Sequence, residues 1–276
     1  MNANVSMLEK EWLEHKIITR IPVALLICGV VLLLSLLMNS TIQSNVTYEL
    51  TYQSDGFESG FELGKQLSHL VLMTSGLLSI LLTSLYFPKT LRKERQEGSV
   101  MFWRSMPVSD LHIHTIKLAF GLLAVPLICS MLVITADFLM WIINLVMSEQ
   151  FPLFFTGESL LYVVSHWLEF IGRMWLVGLA LLPFATIAMA ISQKVNSPLL
   201  VMLIGLYVIK LLASNLFATE VVSQFIDAIT SLPLDVLVEA NPMTAFAHVG
   251  VINLGLFFGL GAVGLMASLR LSRTLD

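Results

Sequence analysis

IPVALLICGVVLLLSLLM, residues 21–38, runs for eighteen positions without a charge. At 1.5 Å of rise per residue such a helix spans about the ~30 Å of hydrocarbon in a bilayer. Comparable apolar runs recur at 67–87, 116–147, 160–191, 198–217 and 248–269. The 276-residue chain is 57% hydrophobic and 12% charged, with a mean hydropathy of +0.85. A soluble domain carries roughly a quarter charged residues, so that class is excluded. A membrane β-barrel would show alternating segments of about ten residues, and none occur. The expected fold is therefore all-α: a polytopic membrane protein with six transmembrane helices. No nucleic-acid partner is expected.

Outward from the first run, residues 1–20 are polar with apolar punctuation at Val5, Met7, Leu8, Trp12, Leu13 and Ile17. These spacings suit an amphipathic helix at the membrane interface, with Trp12 as an anchor. The acids Glu9, Glu11 and Glu14 and the lack of an A-x-A pattern argue against a signal peptide. Cys28 and Cys129 both fall inside apolar runs and read as small buried hydrophobes.

Lys and Arg placement orients the chain. With the N-terminus inside, Lys10, Lys16, Arg20, Lys89, Arg92, Lys93, Arg95, Arg104, Lys117, Lys194, Arg270 and Arg273 are cytoplasmic, and only Lys65 is outside. Both termini are then cytoplasmic. The outer side is acidic, with Glu49, Asp55, Glu58, Glu62, Glu149, Glu158, Glu220, Asp227, Asp235 and Glu239. It reads as a solvated surface. Residues 218–247 carry an apolar face (Val221, Val222, Phe225, Ile226, Ile229) and then Leu232-Pro233. They read as one or two short helices on the outer leaflet, broken at the proline.

Spans three and four exceed a bilayer's thickness, which puts Asp137, His166, Glu169 and Arg173 near the outer boundary. Lys210 is the most immersed charge, about 18 Å into span five by helical rise. An isolated charge there is costly, so it needs an acid, and Asp137 and Glu169 are the candidates. Asp137, Glu169, Arg173 and Lys210 form one group of possible intramembrane ion pairs. Glu169 and Arg173 stand in the favourable i, i+4 order for a helical pair. The same E-x-x-x-R is similar to part of the motif of membrane CAAX-type proteases. Leu168 stands where those have a second glutamate, and no histidine-asparagine motif follows. The structural pair is the preferred reading, and a membrane-embedded enzyme using Glu169 and Arg173 is an alternative. A non-transporting sensor or regulator using the acidic outer lobe is another.

No phosphate-binding G-x-x-x-x-G-K-[ST], no H-E-x-x-H and no G-x-S-x-G is present. No catalytic residue, metal site or cofactor bound by this chain is expected. Gly255 and Gly259, followed by Gly261 and Gly264, allow close helix approach, read chiefly as intramolecular packing.

The most informative polar stretch is PKTLRKERQEGSVMFWRSMPVSDLHIHTIK, residues 88–117. Its first basic residues suit the headgroup region. Ser99 is placed to cap a short helix over Val100, Met101, Phe102, Trp103 and Arg104. Met106-Pro107 ends that helix. Ser109 or Asp110 caps the helix that becomes span three. An aromatic-apolar knob on a basic cytoplasmic loop points to insertion into a groove of a soluble partner.

These residues resemble the first cytoplasmic loop of ABC-2 type transporter permeases: an E-x-E-x-G-[ST] pattern, an apolar stretch, then Pro and Ser. The counterparts are Glu94, Glu97, Gly98, Ser99, Val100, Met101, Phe102, Trp103, Pro107 and Ser109, with Glu97 abutting Gly98 instead of standing one residue off. The ending Phe102-Trp103-Arg104-Ser105-Met106-Pro107-Val108-Ser109-Asp110 is similar to that of one subgroup. The resemblance implies a single transmembrane domain over 1–276, with interfacial helix 1–20, coupling loop 88–115 and outer helices within 218–247. It implies a cytoplasmic ATPase subunit that binds ATP and Mg and docks on the coupling helix. It also implies export, a second permease subunit (identical or different), and a bacterial inner membrane.

Overall fold

The computed structural model describes residues 3–38, 60–96, 109–147, 160–195, 197–216 and 220–274. All elements in it are helical, and no strand occurs among the described residues. The chain is an all-α protein with the helices of a multi-pass membrane protein. In order these are α1 (Ala3–Glu14), α2 (Lys16–Met38), α3 (Gly60–Gln96), α4 (Asp110–Ala119), a π-helical turn (Phe120–Ala124) and α5 (Val125–Met147). Then follow α6 (Leu160–Ser192), α7 (Pro198–Leu216), α8 (Glu220–Val238), α9 (Pro242–Val249) and α10 (Val251–Thr274).

Local chemistry sets several boundaries. Ser109 caps α4: its hydroxyl accepts from the His112 amide at 3.3 Å, and Asp110 favours the first turn. Of the two capping candidates, Ser109 is the one used. Asn241 caps α9 in the same way from Met243 N at 3.0 Å, with Pro242 at the first helical position. Gly250, at φ 81°, turns the chain between α9 and α10 in a conformation that favours glycine.

Five stretches are long and apolar enough to cross a membrane, and α1 with α2 passes jointly as a broken sixth. α6 and the stretch Asp110–Ile142 each have 33 residues, roughly 50 Å of helix against ~30 Å of hydrocarbon. Their excess length is as the sequence implied. The interfacial helix is shorter than 1–20: it ends at Glu14, and residues 16–20 belong to α2. Val5, Leu8, Trp12 and Leu13 are exposed along α1 while Met7 and Glu11 are buried. Cys129 is buried as expected, but Cys28 is exposed on α2.

The chain divides into two compact units. One comprises Met1–Lys16, Ser79–Pro126 and Arg173–Asp276, and the other Ile17–Leu78 and Leu127–Gly172. In the first, α10 packs on α6 along a stripe at helical spacing. Phe257 meets Phe184 edge-on at 4.9 Å. A Cβ on Gly261 would lie 2.8 Å from the Pro183 Cα, and one on Gly264 would lie 2.9 Å from Ile187. Ser268 then receives the Gln193 amide at 2.7 Å and sits 2.9 Å from His114 Nε2. This bond set holds the end of α10, the end of α6 and the start of α4 together, and Arg273 lies 3.6 Å from Asp110 there. The glycines thus divide. Gly261 and Gly264 serve intramolecular contact as expected, whereas Gly255 and Gly259 have nothing within 4 Å.

Residues 218–247 differ from the expectation of a break at Leu232-Pro233. α8 continues through Pro233, because Ile229, Leu232, Val236 and Leu237 form a buried face that offsets the lost backbone bond. Its stretch Val221–Val238 is even long enough to span. Its final carbonyls meet Arg173, which stands 19 residues before Ser192, about 28 Å back along α6 by helical rise.

The Pro183 contact makes a clean test. Gly261→Ala should destabilise the purified protein by ~1–3 kcal/mol, because backbone cannot yield as a flexible side chain can. Gly255→Ala should leave thermal unfolding in detergent unchanged or slightly improved. Equal loss from both would contradict this packing.

Candidate functional site: a buried clamp at the base of the 88–117 loop

Three helices converge beside the loop. α1 contributes Glu11, which lies one turn from Met7 on the buried stripe of an otherwise exposed helix. α3 contributes Tyr86 and Thr90, also one turn apart. α4 contributes Lys117, the first charge inside span three. The Lys117 ammonium donates to Glu11 Oε1 at 2.5 Å and to Thr90 Oγ1 at 2.9 Å. Tyr86 and Thr90 hydroxyls donate to Glu11 Oε2 at 2.7 and 3.3 Å. His15 Nε2 lies 3.5 Å from the same oxygen, and its ring meets Tyr86 edge-on at 4.8 Å. Phe87 and Phe120 complete the aromatic surround of Tyr86.

Glu11 is 3% exposed and Lys117 1%. Burial alone would raise the Glu11 carboxyl. The Lys117 charge and hydrogen bond, the Tyr86 hydroxyl and His15 outweigh it and hold the group below its ordinary value of 4.5. Glu11 is therefore ionised at neutral pH, facing the Lys117 amine. The position of the clamp gives it mechanical meaning. Thr90 is six residues before the end of α3 and Lys117 seven after the start of α4, so each loop root is fixed within roughly 10 Å.

The sequence reading counted Lys117 among the basic residues of the cytoplasmic loop. It is instead a buried member of α4. The loop's first part is likewise helical: α3 runs unbroken through Pro88 to Gln96 and includes Glu94. Glu97, Gly98, Ser99, Val100, Met101, Phe102, Trp103 and Pro107 lie outside the described residues. So do Glu49, Asp55, Glu58, Glu149 and Glu158 of the acidic side.

Of the four charges grouped as one intramembrane set, Lys210, Arg173 and Asp137 each meet partners outside it. Lys210 binds Asp227 in a bidentate contact at 2.6 and 2.8 Å. Neither Asp137 nor Glu169 is its acid. α7 and α8 are separated by three residues and touch, so a lysine six residues before the end of α7 meets an aspartate seven residues after the start of α8. Arg173 is buried and donates to the carbonyls of Leu237, Glu239 and Ala240 at 3.0, 2.5 and 3.3 Å. It is a cation on the carbonyl end of α8, where the helix dipole and unmade backbone bonds favour it. Asp137 pairs with His166 and Ser68. Glu169 is exposed. Among the described residues no cluster of three or more His, Cys, Asp or Glu is arranged to hold a metal.

The clamp residues Glu11, Tyr86, Thr90 and Lys117 were not singled out by sequence. A signal existed: one acid on the buried stripe of an amphipathic helix, and one lysine embedded in Ile116-Lys117-Leu118. In comparisons with known proteins, no family model, no curated protein and no solved structure matches this chain.

Removing one member leaves the other charge buried, which costs ~3–5 kcal/mol, whereas removing both is often near neutral. Lys117→Met should therefore sharply lower the unfolding temperature, and Lys117→Met combined with Glu11→Gln should recover much of it. A lowered carboxyl contributes stability above its unfolded value and loses it as pH falls through the folded one. The wild type should thus weaken below pH ~4.5 more steeply than the double variant.

Proposed function

We propose that this chain is the membrane-spanning subunit of an ATP-driven exporter, similar to ABC-2 type permeases. The observation that carries the reading is the 88–117 loop. A short aromatic-apolar segment, Val100 to Trp103, sits between two helix roots that a buried ion pair ties to an interfacial helix. The chain has no phosphate-binding loop of its own, so the energy source would be a separate cytoplasmic ATPase holding ATP and Mg.

The clamp supports a specific mechanism. A groove on the ATPase takes the segment around Phe102 and Trp103, with Glu94, Glu97, Gly98 and Ser99 shaping its entry. Closure of the ATPase displaces the segment. Because Glu11 bonds partners on both α3 and α4, the two roots and α1 move as one body instead of the loop flexing alone. Force then passes into spans two and three. Six spans make half of such a pathway, so a second permease subunit, identical or different, completes it. Lys and Arg placement supports cytoplasmic termini, and the family resemblance supports a bacterial inner membrane.

Phe102→Ala with Trp103→Ala should leave membrane insertion and α-helical content intact but reduce co-purification of the ATPase at least tenfold. That corresponds to about 1.4 kcal/mol and is modest for two buried aromatic anchors. Full retention of the ATPase by the double variant would refute the docking role.

A further inference from the structure

Between α4 and α5 the helical pairing changes, at the π turn Phe120–Ala124. The Val125 amide donates to Phe120 O, five residues back instead of four. Continued by one residue, the same pairing would join residue 126 to Gly121 O. Residue 126 is proline and has no N–H, so the Gly121 carbonyl loses that backbone donor. The Thr83 hydroxyl of α3 donates to this oxygen at 3.0 Å, in a buried contact. A carbonyl left unmade inside a membrane span is costly, and a threonine on a neighbouring helix is one of the groups that can serve it. Glycine at 121 permits the approach, because a Cβ there would run into the Phe87 ring, one turn along α3 from Thr83.

The place of Thr83 distinguishes two registers. With α pairing, Val125 would donate to Gly121 O, and Pro126 would deprive Leu122 O instead. Thr83 addresses Gly121 O, whereas Leu122 O faces α6, where a Cβ on Gly178 would lie 3.2 Å away. The hydroxyl therefore favours the π pairing. The consequence is rotational. Lys117 and Val125, eight residues apart, are both fully buried. On an unbroken α-helix, at ~100° per residue, they would stand ~80° out of line, and a turn that absorbs one extra residue brings them within ~20°. The π turn thus lets the clamp lysine and the start of α5 bury one face.

We propose that Thr83 and Pro126 form a register lock for span three, with Thr83 as its positioning residue. The Thr83 hydroxyl replaces the amide hydrogen that Pro126 lacks, fixes the π turn, and so aims Lys117 at Glu11. Both the loop root on α3 and the joint between α4 and α5 are then held by the same helix face, through Thr90 and Thr83. The use of this joint to pass force from the loop rests on the ATPase-coupling reading. The lock itself rests on the pairing alone.

The test uses the full chain in lipid nanodiscs, followed by hydrogen–deuterium exchange of peptides covering residues 119–126. Thr83→Val removes the donor with little change of shape and is expected to speed exchange there roughly tenfold, the effect of one buried acceptor left unmade. Thr83→Ser keeps a hydroxyl and should restore slow exchange, which a packing role for the threonine methyl would not do. Pro126→Ala supplies the missing amide, so in that background Thr83→Val should change exchange little. No acceleration by Thr83→Val, equal acceleration in both backgrounds, or no rescue by Thr83→Ser overturns the proposal. Should Thr83→Val not fold, folding of Thr83→Val combined with Pro126→Ala supports the lock, and failure of that pair to fold overturns it. The readout involves no ATPase, so failure of the transport reading would not move it.

Discussion

The architecture around the loop depends on a buried Glu11–Lys117 ion pair. Two charges removed from water are unfavourable unless each finds full compensation. Here Lys117 satisfies Glu11 Oε1, two hydroxyls from α3 satisfy Oε2, and Thr90 takes a second Lys117 hydrogen. That requirement fixes α1, α3 and α4 in one arrangement. Hydrophobic contact alone would let them slide, because lipid chains and apolar side chains are alike to a helix surface. A polar contact with one satisfactory geometry gives these three helices a defined register.

The same logic recurs at other joints. Arg173 fastens α8 by the carbonyls that its helix end leaves unmade. Lys210 and Asp227 fasten the α7–α8 hairpin. Ser268 gathers His114 and Gln193 where α4, α6 and α10 meet. Between these joints the helices pack through small residues and rings, as Gly261 does on Pro183 and Phe257 on Phe184. Polar fasteners set the register and close packing fills the space between them.

Much of this was legible in the sequence. Uninterrupted apolar runs such as 21–38 give helices of membrane-spanning length, and Ser109 announces the start of α4. The excess lengths of spans three and four were readable from residue counts. The clamp was not, because Glu11 and Lys117 are 106 residues apart and no local pattern links them. Lys210 was assigned the wrong acids because the contact of α7 with α8, and not depth alone, selects its neighbour. Pro233 suggested a break because the buried face that sustains α8 across it is a tertiary effect. In each case the residue type was informative, and its partner came only with the fold.

The proposed role of the loop meets its most direct test at Trp103. A photo-reactive amino acid placed there, in membranes of cells expressing the full chain, captures whatever the side chain touches on illumination. The account predicts a cross-link to a soluble protein whose peptides include a G-x-x-x-x-G-K-[ST] phosphate-binding loop. Cross-links confined to lipid or to this chain's own α1 would contradict it.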